Sequence, residues 1–377
     1  MTEIETAVTP VPAATPLAGL IASMIASSGP ERELGVYLGV LTPLQLDAAE
    51  KETAALVSGA AVHDLGWMRR VAVRGEDRFR WLSGMVSNMV NDLAANAGAW
   101  NLVLNAQGRI QGDLWAWRDG EDLEMEIAAD QYDKLLAHLN RFIIMDDVEL
   151  GAIEDVTAIG LTGAKAGEVL ASAGLPALNE ALTQTTATWN GFEIRIRRSY
   201  GVLAEHYELW ASEAAMAPLW QALSEAGAVA VGTRSLDAFR IAEGIPLYGV
   251  DIAERDLAQE TSQMRALHFT KGCYLGQEIV ERIRSRGSVH RHLRQLAIEG
   301  PVPAAGTELY PIGADAEIAK AAGHITSAAE LPAAAGRRVL ALGMMRAEAE
   351  VGEQTFTFNA GSTAGTARVL SSPPHLS

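Results

Sequence analysis

Apolar positions change their spacing several times along the chain, and each change marks an element. Val71-Ala72-Val73 reads as a strand closed by Gly75. From Asp77 to Val90 the residues Phe79, Leu82, Val86, Met89 and Val90 fall at helical spacing behind an acidic first turn. Trp100 to Asn105 and Ile110 to Trp117 predict a hairpin around Ala106-Gln107-Gly108, and Asp119-Gly120 turns the chain into a third strand, Leu123 to Ile127. Tyr132, Leu135, Leu136 and Leu139 form the stripe of a helix over 130–139. The order is β-α-β-β-β-α. A looser copy follows: strand Val156 to Leu161, helix Ala164 to Ala173, strands Phe192 to Ile196 and Tyr207 to Trp210, and a helical stripe of Met216, Leu219, Trp220 and Leu223. After His290 the pattern shortens to β-like pieces, Leu293 to Ile298, Val339 to Leu342 and Thr355 to Asn359, separated by glycine and proline. The expected fold class is α+β: two ferredoxin-like α+β units and a C-terminal small antiparallel β-barrel.

The 377 residues, 40.1 kDa, fit two or three domains and exclude a minimal binding module. We expect an N-terminal extension over 1–60, a first unit over 61–150, a second over 151–289 and the barrel over 290–377. Residues 1–30, with Pro10, Pro12, Pro16 and the Ser27–Pro30 breaker, read as a loosely docked tail in which residues 20–25 form a short helix. A net charge of −17 argues against a broad phosphate-binding surface, so stable nucleic-acid binding is not expected. No apolar run approaches the ~20 residues of a membrane span. The acidic N-terminus is unlike a basic leader, and cytoplasm is the default expectation. Cys273 is the only cysteine, which excludes an internal disulfide and a cluster held wholly by one chain's thiolates.

No phosphate-binding loop, dinucleotide turn, H-E-x-x-H or G-x-S-x-G occurs. His290 and His292 could share a strand face but lack a third ligand, so no metal site is expected. The informative stretch runs from Ala266 to Arg282. It reads as a short apolar strand, a glycine turn and a helix whose Ile279, Val280 and Ile283 face a core. Cys273 would then lie near Lys271 and a helix start, both of which favour a thiolate. A buried, inert cysteine is the other reading of the same spacing.

The segment Lys271-Gly272-Cys273-Tyr274-Leu275-Gly276-Gln277-Glu278 resembles the K-G-C-[FY]-x-G-Q-E signature of YgfZ-type folate-binding proteins. These are relatives of the glycine-cleavage aminomethyltransferase and of iron–sulfur assembly factors. Arg240 to Gly249, Gln259-Glu260, Asn88 to Asp92, Asn105 to Asp113 and Gly323 to Ser327 resemble further family segments, so the likeness covers roughly residues 60 to 370. It implies a cloverleaf around a central channel that holds tetrahydrofolate or a derivative. Asp113 and Glu208 are the implied pterin-binding acids, with Asn105, Arg109, Arg240 and Tyr248 as further folate-binding positions.

The chain departs from aminomethyltransferases in three places. Gly112-Asp113 stands for two adjacent acids, Ala204 replaces another acid, and Cys273 takes the place of one more. The resemblance therefore implies a tetrahydrofolate-binding accessory factor that assists iron–sulfur cluster assembly, maintenance or repair in client enzymes, tRNA-modifying radical enzymes among them. Its partners would be those clients or assembly factors. Cys273 would make transient contact with a cluster, a sulfur species or a thiol, held as thiolate by Lys271. Gly272 and Gly276 would permit the turn, Tyr274 completes the signature, and Gln277 and Glu278 would fix its hydrogen bonds. The rival readings are a folate-dependent aminomethyl or one-carbon transferase and a non-catalytic, folate-regulated scaffold. Arg282, Arg284 and Arg286, followed by Arg291 and Arg294, are either a solvated face or a cationic strip for the polyglutamate tail of a folate.

Overall fold

The structure is a computed structural model that describes residues 13–24, 34–313, 319–333, 336–350 and 355–376. The chain opens with helix α1 (Pro16–Met24), a hairpin of β1 (Leu34–Tyr37) and β2 (Val40–Pro43), and helix α2 (Ala49–Ser58). Around the expected short helix the structure departs from a loose tail. Leu17 and Ile21 of α1 are fully buried, and the Thr15 hydroxyl donates to Asp64. The prolines at 10 and 12 and the breaker at 27–30 lie outside the described residues.

Next come β3 (Ala61–Asp64), β4 (Met68–Arg74), α3 (Arg78–Met85), β5 (Gly98–Leu104), β6 (Ile110–Asp119), β7 (Asp122–Ala128), α4 (Ala129–Asn140) and β8 (Glu149–Ile153). Strands β4 to β8 form one five-stranded antiparallel sheet in the order β5-β6-β7-β4-β8. Leu114, Ala116, Met125 and Leu135 pack in the core between this sheet and its helices. Helix α3 stops earlier than its apolar spacing predicts. Val86 bridges to Val103, and the Ser87 amide donates to the Leu102 carbonyl, so the sheet edge recruits backbone that a helix would need.

The second half contributes β9 (Val156–Gly163), α5 (Ala166–Ser172), β10 (Thr183–Trp189), β11 (Phe192–Ser199), β12 (Glu205–Ser212), α6 (Glu213–Glu225), β13 (Val229–Ala230) and α7 (Thr233–Glu243). These strands build a six-stranded sheet, β10-β11-β12-β9-β3-β13, into which β3 crosses from the start of the first expected unit. Helices α1, α5 and α6 cover it with Leu17, Leu170, Leu219 and Trp220. The sequence reading lacked β1, β2, α2, β3, β8, β10, β13 and α7.

After helix α8 (Gln277–Arg286), strands β14 (Arg291–Glu299), β15 (Glu308–Pro311), β16 (Gly323–Ala333), β17 (Gly336–Arg346), β18 (Thr355–Ala360) and β19 (Thr363–Val369) close into a six-stranded antiparallel barrel filled by Leu296, Ile325, Phe356 and Phe358.

A buried charge cluster joins the two sheets. Glu124 and Glu126 of β7 meet Arg197 of β11. Arg70 reaches Glu124 at 2.6 Å, and Arg195 reaches Glu124 at 3.0 Å and Asp119 at 2.8 Å. Burial alone would raise the Glu124 pKa, but Arg197 and Arg70 pull it down to about 2.

Candidate functional site

The two sheets, α7 and the loops around Tyr200, Tyr248 and Arg265 enclose a cavity of about 250 Å³. On β6, Asp113, Leu114 and Trp115 line the cavity, whereas Gly112 faces α4. The Asp113 carboxylate accepts the Trp100 indole N–H at 2.8 Å and the Gln131 amide at 2.9 Å, and no cation pairs with it among the described residues. Burial accordingly raises its pKa. The Trp100 and Trp115 rings stack 6.0 Å apart beside it. A Cβ on Gly112 would come within 2.7 Å of Gln131 Oε1 and 2.8 Å of Leu135, so a side chain there would push aside the amide that holds Asp113.

Arg240 and Tyr248 also line the cavity. The Arg240 guanidinium bonds Asp237 at 2.7 Å and Asp251 at 2.6 Å, while Asp251 takes the Thr326 and Ser327 hydroxyls, each at 2.6 Å. Those four residues tie α7 to the barrel and fix the loop that presents Tyr248. Tyr248 accepts a hydrogen bond from Lys134 at 3.2 Å.

Three other expected folate positions fall elsewhere. Glu208 lies in the intersheet charge cluster, where it accepts from Ser199 and from Trp210 at 3.3 Å. Burial and then the Glu126 charge push its pKa upward. Asn105 and Arg109 sit in the β5–β6 turn, where Asn105 Oδ1 accepts the Gln107 and Arg109 amides, each at 3.0 Å, and Arg109 donates to the Arg255 carbonyl.

That turn is the seat of the cysteine segment. Gly276 takes φ +84°, and a Cβ there would lie 2.6 Å from the Asn105 carbonyl oxygen. Ile279 of α8 packs on Gly108 in the same way. Cys273 is exposed. Lys271 has a different partner from the one expected: its ammonium is buried and donates to the Ser83, Val86 and Asn88 carbonyls at 2.6, 2.7 and 2.6 Å. It therefore caps the C-terminal end of α3 and does not hold the thiol. Burial lowers its pKa to about 7 while the three carbonyls favour the charged form.

Residues 266–271 form no strand, because the Ser87 hydroxyl and carbonyl claim Ala266 O and His268 N-H. Gly272 stands in open space without a left-handed backbone. Tyr274 is buried, its amide donates to Gln277 Oε1 at 3.3 Å, and Glu278 is exposed and pairs with Arg282. Arg284 pairs with Glu281 and covers Phe269, Arg291 pairs with Asp256 and Glu260, and Arg294 with Glu350. The strip is thus largely self-neutralised and lies outside the cavity lining. The Arg286 side chain is outside the described residues.

Sequence reasoning missed two groups on the cavity wall. One is Arg265, whose guanidinium stands over the rings of Tyr200 at 3.8 Å and Trp100 at 4.9 Å. The other is a polar chain on β3, β9, β12 and α7. His63 Nδ1 donates to the Asp64 carbonyl at 3.1 Å, which leaves Nε2 to accept from the Thr162 hydroxyl at 3.1 Å. Thr162 also contacts His206 at 3.3 Å, and His206 lies 2.9 Å from Glu243. Burial lowers the His63 pKa to about 4. Gly160 makes room for its ring, since a Cβ there would lie 1.9 Å from Cε1. No local motif marks these residues; four separate elements bring them together.

The sequence model of the GCVT N-terminal domain matches residues 34–271, more than half of the chain. The chain belongs to that family. Its sequence is 28% identical over 269 residues to an aminomethyltransferase from Rubrobacter xylanophilus, covering 70% of this chain and 72% of the relative. An aminomethyltransferase from Thermus thermophilus is 28% identical over 278 residues, with 72% and 77% covered. In fold, the chain matches the crystal structure of glycine cleavage system aminomethyltransferase T from Bartonella henselae with a TM-score of 0.84 at 21% identity, covering 96% and 98% of the two chains. This GCVT-family chain has an aromatic cavity bearing one desolvated acid and a separate, exposed thiol. Among the described residues, no helix is long and apolar enough to cross a membrane.

Proposed function

We propose that this GCVT-family chain binds tetrahydrofolate in the central cavity and serves iron–sulfur client enzymes through Cys273. The observation that carries the reading is Asp113: a desolvated carboxyl without a cationic partner among the described residues, beside stacked indoles on the cavity wall. A pterin fits that donor set, because its N–H edge needs a carboxylate acceptor and its flat rings need aromatic walls. At about 250 Å³ the cavity is near the lower end of ligand sites, roughly 300–1,000 Å³, a size suited to the ring head of the ligand. Asp113 would hold that head, with Trp100, Trp115 and Tyr248 enclosing it. Tetrahydrofolate, when bound, supplies one-carbon carrying capacity.

The exposed thiol supports the accessory role, since it is absent from the cavity lining and meets solvent, where a client can reach it. The test is a calorimetric titration of the reduced protein with tetrahydrofolate beside Asp113→Ala and Cys273→Ala. It is paired with client activity in a strain lacking the chain. Binding weakened by the first substitution alone, and client rescue lost with the second alone, is the expected result. Wild-type protein that binds no tetrahydrofolate, or full rescue by Cys273→Ala, would overturn it.

Retention of Asp113 and the names of the 28%-identical relatives favour aminomethyl transfer as a second reading. Formation of methylenetetrahydrofolate from an aminomethyl donor would select it.

A further inference from the structure

The acids and arginines on the cavity wall each have an ionisable partner, with two exceptions. Arg240 has Asp237 and Asp251, Glu126 has Arg197, and Glu243 has His206. Asp113 has only neutral donors, as described. Arg265 has two aromatic faces and nothing on its edge: among the described residues no carboxylate pairs with it, and its Nε–H is buried without an acceptor. Burial lowers its pKa. The Glu243 charge acts on it only at a distance, with no ion pair formed, and a buried Nε–H without an acceptor is a costly arrangement, since buried donors are otherwise almost always matched. The residue is also held in place. Its carbonyl accepts the Asn88 amide at 2.8 Å, the next carbonyl takes the Ser87 hydroxyl at 2.6 Å, and the rings of Trp100 and Tyr200 hold the guanidinium plane.

We propose that Arg265 is the carboxylate-binding subsite of the central cavity, and that the cavity takes a molecule with N–H donors for Asp113 and a carboxylate for Arg265. Trp100 links the two ends, since its indole edge bonds Asp113 and its face carries Arg265. The cation for an anionic ligand is thus inside the cavity and not on α8. The inference deepens the folate reading and rests on it for the N–H-bearing end only. Two sources could supply the carboxylate: the glutamyl end of a folate, or a separate small amino acid bound beside the ring.

The test uses the full-length protein, wild type and Arg265→Gln. Each is titrated with tetrahydrofolate, with tetrahydropterin, which lacks the glutamyl part, and with glycine in the presence of tetrahydropterin. If the folate supplies the carboxylate, Arg265→Gln weakens tetrahydrofolate tenfold or more and leaves tetrahydropterin unchanged. If a separate acid supplies it, Arg265→Gln abolishes saturable glycine binding and leaves both pterins unchanged. Identical titrations of wild type and Arg265→Gln with all three probes would overturn the proposal while the folate reading stood. Wild type that ignores both pterins but binds glycine through Arg265 would sink the folate reading and keep this one. Thermal unfolding guards against a folding defect. Removing a half-buried cation that makes no ion pair among the described residues should leave the melting temperature equal or higher, and bound ligand should raise it in wild type more than in Arg265→Gln. A ligand-induced rise of the same size in both proteins would also count against the subsite.

Discussion

Replacing Gly276 by alanine tests whether the cysteine segment is held by the β5–β6 turn. The position has φ +84°, and a Cβ would meet the Asn105 carbonyl oxygen at 2.6 Å, Leu104 Cβ at 3.0 Å and Gly108 Cα at 3.2 Å. Left-handed backbone costs an alanine roughly 1–2 kcal/mol. The clash is with main chain, which no side-chain rotation relieves. The Asn105 carbonyl also accepts the Gly108 amide at 2.9 Å and so closes the turn. Moving it adds about 1 kcal/mol for that bond and a similar amount for overpacking. Gly276→Ala should therefore lose about 3 kcal/mol in urea unfolding at unchanged slope.

Gly272→Ala is the matched control, because residue 272 has no left-handed φ and nothing within 4 Å, and it should stay within about 0.5 kcal/mol of wild type. Under native conditions Gly276→Ala should lower client rescue through a displaced Cys273 while tetrahydrofolate affinity stays put. Equal stability of the two variants, or a loss below about 1 kcal/mol at 276, would refute the reasoning.

Arg197→Met leaves Glu126 buried without its cation, while Glu124 keeps Arg70 and Arg195, and we expect a loss of about 3 kcal/mol by denaturant unfolding; a neutral result would mean that water reaches the cluster. His63 is held neutral by burial with a pKa of about 4, below its unfolded value, so between pH 6.5 and 4 the unfolded chain binds a proton that the folded chain refuses. Its contribution is complete above about pH 6.5 and is lost as pH falls through 4, about 3 kcal/mol in all. Urea midpoints at pH 7, 5.5 and 4 should fall more steeply for wild type than for His63→Gln, and parallel curves would contradict the assignment. Cys273→Ser should leave both the unfolding midpoint and tetrahydrofolate affinity within error, since the thiol is exposed and absent from the cavity wall; a change in affinity would argue that the two sites touch.

Elements with strong local periodicity were legible. The β5–β6 hairpin, α4, α6 and the barrel strands β14, β17 and β18 lie where apolar spacing puts them, whereas β15 and β19 went unread. Strand β10, Thr-Gln-Thr-Thr-Ala-Thr-Trp, escaped because it is an edge strand with mostly polar residues, and its pairing with β11 is long-range information. The strand expected before Lys271 failed for the opposite reason: its apolar residues are buried by contact with the Ser87 loop without joining a ladder. Asp113 could be picked out because a motif marks it. Arg265, His63 and His206 carry no such mark, since their roles come from juxtaposition across both sheets. Lys271 was read from its nearness in sequence to Cys273, yet a long flexible side chain follows acceptors, and the best acceptors were the free carbonyls at the end of α3.

The β5–β6 hairpin also acts as a measured spacer. Asp113 is four residues from Arg109 along β6, roughly 14 Å of extended chain, and the turn at the far end bears on the segment that carries Cys273. A molecule seated against Asp113 is therefore out of bonding reach of the sulfur. Chemistry at the two ends can proceed without cross-reaction, and changes around α8 can alter the surroundings of the sulfur while leaving the cavity untouched.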